Sequence, residues 1–326
     1  MNKDDERRAF DQVYRSHDQW AIEPGESPDF ICLRGGMPVL GVEVTELWQH
    51  ETDARLSKIS GYFDSLLDGG DVVHKDDRVV AKVETVQLVP KDSLEPIATV
   101  PAIMRKHPSP SERAELFGAA LAAKEGRVSN YLDRCQHVDL LVDDRSMIFW
   151  FSDFEQLIRP ISSDSVRECV TSSRFREIFL VTNEQGGARV RVPLKASLLM
   201  EDLLVLEDLL SHEAPELSEQ LYLQTGSSAV AVSILAVALA QVSRLPPAPC
   251  VEEGRLGVSI GCFTVHWTDQ GKVVRDHSCM PEQVEFAPEL LLASADIERI
   301  ARTIAEGRGS YQATVPFALP VAQHSS

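Results

Sequence analysis

Apolar and polar positions recur along this chain with two different periods, and the switches between them mark its elements. Phe10, Val13, Tyr14 and His17 fall three and four residues apart inside a highly charged stretch, which predicts an amphipathic helix over residues 4–19. From Pro28 the character changes. PDFICLRGG and MPVLGVEVTELW are apolar runs separated by Arg34-Gly35-Gly36, and a Gly-Gly pair between such runs predicts a hairpin with strands near 29–33 and 38–44. Leu56, Ile59, Phe63 and Leu66 or Leu67 return to helical spacing over 52–67, closed by Asp68-Gly69-Gly70. Val79 to Val89 alternates loosely, as a strand does. Ser109-Pro110-Ser111-Glu112 then sets a capping serine, a first-turn proline and a box-closing glutamate in order, and opens a helix expected to reach Arg134.

Strand-like runs follow at 137–142 (HVDLLV) and 147–151 (MIFWF). Another pair, 177–182 and 189–193, flanks Asn183-Glu184-Gln185-Gly186-Gly187 as a second hairpin. Strands interleaved with helices in this way predict an α/β fold, a mixed β-sheet flanked by helices. Beyond about Ala196 the pattern shifts to an acidic leucine-rich helix (MEDLLVLEDLL) and an apolar helix after Ser227. A linker at Leu245-Pro246-Pro247-Ala248-Pro249, a hairpin pattern in GVSIGCFTVHW ahead of Asp269-Gln270-Gly271, and a last helix near Ser294 complete it. The expected organisation is a first domain over residues 1–196 and a second, smaller α+β domain over 197–326.

Charge sharpens that division. Residues 198–326 hold 7 Lys+Arg against 17 Asp+Glu, so the acidity is concentrated in the smaller part. Over all 326 residues the formal charge is −18, which excludes a broad basic cradle for polyanions and leaves any nucleic-acid contact local. The most apolar stretch, Ala229 to Val242, is shorter than the roughly 20 residues that cross a bilayer. The first ten residues, MNKDDERRAF, are charged where a secretory signal turns apolar. A cytoplasmic protein without a membrane partner is the expectation. Six cysteines without a CxxC pair suggest reduced structural thiols, and HExxH, GxxxxGK[ST] and GxGxxG do not occur.

Candidate chemistry lies in the first hairpin. Asp29 follows Pro28, and Glu43 lies fourteen positions on, in the partner strand. Adjacent strands are about 4.8 Å apart, so carboxylates on facing positions can converge on one divalent cation. In VLGVEVTELW, Val42 and Val44 face one way and Gly41, Glu43 and Thr45 the other; a half-exposed strand with Glu43 in water satisfies the same alternation. On the helix from Ser109 the stripe Phe117, Ala120, Leu121, Lys124, Val128, Tyr131 places a lysine among apolar positions. That lysine either snorkels to the surface or is held by a partner.

Pro28-Asp29-Phe30 and Gly41-Val42-Glu43-Val44-Thr45 resemble the PD-(D/E)XK nuclease superfamily, over about residues 1–195. In that family a Pro-Asp on one strand and an acid on the next bind magnesium. Thr45 stands where the family's lysine usually falls, and Lys124 matches the variant in which the lysine has moved to a helix. The resemblance implies a restriction-endonuclease-like sheet and a magnesium-dependent phosphodiester hydrolase acting on nucleic acid, with DNA as the expected substrate and manganese as a substitute ion. It implies Asp29 and Glu43 as metal ligands and Lys124 as the catalytic lysine. Glu6 is the nearest match to the glutamate that the family often carries on the preceding helix, ahead of Glu23 and Glu26.

Gln49 and His50 lie near enough in sequence to line a cleft. Arg105, Lys106 and Arg113, with His107, form the best local basic patch for phosphates, although a solvated loop gives the same pattern. No aromatic platform accompanies it. A catalytically inactive nuclease-like protein, or an interaction module using its acidic C-terminal part to bind a protein partner or a second copy, is the competing reading.

Overall fold

In the computed structural model the described residues are 3–14, 20–90, 95–149, 163–183, 189–198, 201–202, 248–252, 255–260, 263–268, 271–276, 302 and 319–320. The chain opens with helix α1 (Lys3–Val13), shorter than the periodicity predicts, with Phe10, Val13 and Tyr14 buried. Strand β1 (Trp20–Pro24) follows; it is short and carries Glu23 and Pro24, so it leaves no alternation to read. The predicted hairpin forms as β2 (Phe30–Arg34) and β3 (Met37–Leu47). Gly35 and Gly36 between them have φ of 60° and 83°, the left-handed pair that a tight hairpin of this hand requires.

The helix expected over 52–67 is two helices, α2 (Glu51–Lys58) and α3 (Tyr62–Leu67). Gly61, at φ 70°, breaks them and resets the phase, so Tyr62 and Leu66 are buried while Ile59 and Phe63 face outward. A short helix α4 (Asp77–Val80) takes the start of the strand expected at Val79, and the strand proper is β4 (Lys82–Leu88), paired with β5 (Ala98–Met104) in a separate ribbon.

Helix α5 (Pro110–Glu125) begins as its sequence dictates. The Ser109 side chain accepts from the Glu112 N–H at 3.3 Å, and the Ser109 N–H donates to Glu112 Oε2 at 2.7 Å. It stops at Gly126, and α6 (Val128–Leu132) continues the buried stripe. Strand β6 (His137–Asp144) lies parallel to β3. The strand expected at 147–151 does not form over its described residues: Met147 has φ 53°, and the Ile148 and Phe149 N–H groups donate to Asp144 at 2.8 and 2.7 Å in a turn. Helix α7 (Asp164–Ser172) leads to β7 (Ile178–Asn183), and β7 and β8 (Arg189–Pro193) form the second predicted hairpin.

The principal sheet therefore runs β1-β2-β3-β6-β7-β8, with parallel pairing at β3/β6 and β6/β7 and antiparallel pairing elsewhere. It is a mixed sheet flanked by helices, as expected. Strands β9 (Ala248–Glu252), β10 (Arg255–Ile260), β11 (Phe263–Thr268) and β12 (Gly271–Asp276) form an antiparallel sheet that contains the predicted GVSIGCFTVHW hairpin. Ala248 and Pro249, read as linker, are the start of β9. A two-residue strand β13 (Leu319–Pro320) pairs with the outer edge of β8.

Val258, Phe263 and Val265 of the second sheet belong to the same core as β3, β6 and β7, and the Phe263 ring lies 6.2 Å from that of Phe179. The leucine-rich helix is described only at Glu201 and Asp202, both buried against Arg167; the apolar helix after Ser227 and the helix near Ser294 lie outside the described residues. Among the described residues no helix is long and apolar enough to cross a membrane.

Candidate metal centre

The centre is built where β2 and β3 meet. Phe30 pairs with Val42, so Asp29 stands at the mouth of β2 beside the middle of β3, and its Oδ2 accepts the Val44 N–H at 2.8 Å. Pro28 fixes the approach by packing on Gly41. A Cβ at Gly41 would lie 2.7 Å from Pro28 Cγ and 3.3 Å from Cys135 Sγ, so glycine is what lets the Pro-Asp turn close onto the strand.

Glu43 is 4 % exposed, which excludes a solvent-facing strand position. Both faces of β3 are covered here, and its side opposite Val42 and Val44 meets α5 and α6. Lys124, from the last turn of α5, donates from Nζ to Glu43 Oε1 at 2.6 Å. The lysine in the apolar stripe is thus held by a partner. Glu43 Oε2 and the neighbouring Tyr131 hydroxyl are both buried and act on each other, and neither makes a close hydrogen bond to a third group among the described residues. Burial pushes the Glu43 carboxyl above its ordinary value; Lys124 opposes the shift and Asp29 adds to it. Burial first, and then the adjacent Glu43 charge, hold the Tyr131 phenol above the usual range.

Glu6 joins from α1 through a residue not singled out in the sequence. Lys3 Nζ lies 2.9 Å from Glu6 Oε2 and 3.6 Å from Asp29 Oδ1, and donates to the Gly25 carbonyl at 2.7 Å. Glu6, Lys3, Asp29, Glu43 and Lys124 form a string of charges in which a cation at either side flanks the adjacent acids Asp29 and Glu43, assembled from positions as far apart as 3 and 124. Glu23 and Glu26 are exposed outside it. Lys3 carried no signal within its run of charges, and Tyr131 stood in the sequence only as a position of the apolar stripe.

The residues fit a magnesium ion. Hard oxygen ligands from one or two carboxylates, completed by water, are its usual protein share, and Asp29 lies near enough to Glu43 for its charge to raise the Glu43 carboxyl, whose buried Oε2 has only the Tyr131 hydroxyl beside it. No set of three or more histidine, cysteine or acidic side chains among the described residues is placed to hold a metal, so Asp29 and Glu43 would be its share from the core of the site.

The basic patch lies elsewhere, on a cleft of about 710 Å³ between α5 and the β4–β5 ribbon. Arg105 and Lys106 line it, as do Gln49 and His50. Arg105 is held by Asp53 at 2.6 Å, whereas Arg113 turns inward to donate to the Pro108 carbonyl at 3.0 Å and to contact His107 at 3.1 Å. Helix α5 joins the two regions: cleft residues Glu112 to Ala119 precede Lys124 by about 8–18 Å along the axis at ~1.5 Å per residue.

Other buried acids are satisfied from within. Asp139 accepts from Tyr14, Arg176 and the Glu177 N–H. Glu177 accepts the Ile178 N–H and, at the turn after β8, the Lys195 and Ala196 N–H groups, and Asp144 caps the turn after β6. These partners make them structural. No family model, curated protein or solved structure matches this chain.

Proposed function

We propose that the protein is a metal-dependent nuclease with a restriction-endonuclease-like sheet, hydrolysing phosphodiester bonds of nucleic acid, with DNA as the first substrate to test. The observation that carries this reading is the meeting of Asp29, Glu43 and Lys124, with the lysine ammonium 2.6 Å from the buried Glu43 carboxylate. The antiparallel β2–β3 hairpin followed by a crossover through α5 to the parallel strand β6 supports the same assignment.

Asp29 and Glu43 would hold Mg²⁺, with Mn²⁺ as a substitute. When bound, the ion would supply a water of lowered pKa and offset charge on the scissile phosphate. Asp29 is held for this by the Val44 N–H, which fixes its Oδ2, and by Lys3, 3.6 Å from its Oδ1. Lys124 would orient the attacking water or donate to the charge that develops on the phosphate, a role its helix anchor suits because little reorganisation is needed. Tyr131 closes the centre from α6. Arg105 and Lys106 offer phosphate contacts along the cleft.

The test incubates purified protein with linear, circular and single-stranded DNA and with RNA, with Mg²⁺, Mn²⁺ or chelator, beside Glu43→Gln. Metal-dependent cleavage lost in that variant is the expected result. A folded protein that neither cleaves nor gives a calorimetric signal with either ion would overturn the reading in favour of an inactive or partner-binding protein.

A further inference from the structure

The cleft beside α5 has a construction that phosphate contact alone does not require. Its floor is apolar: Val80 and Leu116 are half-buried, Pro108 is buried, and exposed Val79 and Met104 extend the wall. Its rim carries Lys82, Arg105 and Lys106 on one side and Glu112 and Glu115 of α5 on the other, and Arg105 is committed to Asp53. In a chain of formal charge −18, Lys82 and Lys106 are the rim cations left for a ligand beside the apolar floor. Lys82 and Lys106 make no salt bridge among the described residues, so both can serve a ligand. The Glu112 carboxylate, within electrostatic reach of Lys106, is already engaged by the Ser109 N–H at 2.7 Å.

Ligand chemistry follows from these two halves. A recess of about 710 Å³ falls in the range of small-molecule sites, roughly 300–1,000 Å³, and is too small for a duplex. The apolar floor calls for a flat, weakly polar body and the rim for an anionic group. Gln49 adds a polar reading group. Its side-chain N–H is committed to the Lys106 carbonyl at 3.0 Å, which leaves its Oε1 as an acceptor.

We infer that the cleft binds a single nucleotide, base against Val80 and Leu116 and phosphate on Lys82 and Lys106, either free or as an unpaired nucleotide of a strand. The choice of a nucleotide among amphiphilic anions rests on the nuclease reading; the cleft's two halves do not. Unstacking one nucleotide into a recess walled by apolar side chains is a known way to hold a strand beside a reactive centre.

The test is calorimetric titration in chelator, so that neither metal nor cleavage enters. The probes are deoxyadenosine 5′-monophosphate, deoxyadenosine and inorganic phosphate. The monophosphate is expected to bind at least about tenfold more tightly than either fragment, the loss of one anchoring contact. Lys82→Ala with Lys106→Ala should weaken it by a similar factor, and Ala119→Phe, which fills the recess from an exposed helix position, should abolish it with the unfolding curve unchanged. Competition by a single-stranded oligonucleotide would assign the site to a strand; failure to compete would assign it to free nucleotides. Equal binding of phosphate, no saturable binding, or wild-type affinity in both variants would overturn the inference. Binding without any metal-dependent cleavage would overturn the nuclease reading and leave the cleft; cleavage without binding would do the reverse.

Discussion

At the scale of single residues, the Glu43–Lys124 pair decides how the centre is maintained before any ligand arrives. A carboxylate raised above its ordinary value binds its proton more tightly in the folded than in the unfolded chain, so its contribution to stability falls as pH rises through that interval. Lys124 limits the loss. Replacing it with methionine keeps the apolar stem and leaves the buried charge unpaired, a change worth about 3–5 kcal/mol in fully buried pairs and about 2 kcal/mol here, because Lys124 keeps 20 % side-chain exposure. Urea denaturation should show Lys124→Met close to wild type near pH 4 and progressively weaker toward pH 8. A gap that does not widen with pH would show that the lysine is not what offsets Glu43. Asp29, Glu43 and Lys124 were legible in the sequence because each breaks a local rule: an acid after Pro28, an acid amid valines, and a lysine within an apolar stripe. Lys3 broke none, lying in a run of charges where one more cation carries no signal.

At the scale of elements, legibility followed local chemistry. The β2–β3 hairpin was readable because Gly35-Gly36 is what its turn demands, and α5 because its first residues cap themselves. The 52–67 helix was misread because periodicity counts spacing through a break, and only the left-handed Gly61 reveals that the phase restarts. The 147–151 run was misread over its described residues because Ile148 and Phe149 are buried by a turn hung on Asp144, and burial alone does not distinguish turn from strand. The capping box has a measurable weight. Ser109→Ala removes one of its two reciprocal bonds and should lower unfolding stability by about 1 kcal/mol without altering the denaturant slope. Since α5 carries Lys124 at its other end, hydrogen exchange along the helix should rise from the first turn before it reaches the lysine. Uniform exchange throughout would mean that packing, not the cap, fixes the helix start.

At the scale of the molecule, buried acids set a pH profile. Burial pushes Glu177 up to about 7 and Asp144 up to about 6. Both therefore favour the folded state below their ordinary values, and that contribution is lost as pH rises to about 7. Burial alone would push Asp77 upward as well, yet bonds from Arg55, Tyr62 and Thr52 hold it well below the carboxylate range, so its contribution is present at neutral pH and is lost in strong acid. Thermal unfolding should thus be highest in mildly acidic buffer and decline toward pH 8, and Glu177→Gln should flatten the decline while lowering the maximum, since an amide cannot accept all three of its backbone donors. A maximum at or above pH 8 would contradict the assignment.

The same scale decides whether the acidic second part is an appendage. Its composition set it apart at about residue 196, but composition does not show which apolar side chains meet across a boundary. Val258, Phe263 and Val265 are each at most 2 % exposed within the core of the principal sheet. Burying such side chains contributes about 1.5–3 kcal/mol apiece, so three together approach the whole net stability of a typical domain, about 5–15 kcal/mol. A chain ending at residue 196 should therefore lose its cooperative thermal transition and its near-ultraviolet circular dichroism while retaining much of its secondary structure. If that shorter chain instead melted cooperatively, the three side chains would be a cover on a core already complete. The acidic part could then be assigned to partners without any share in holding Asp29, Glu43 and Lys124 together.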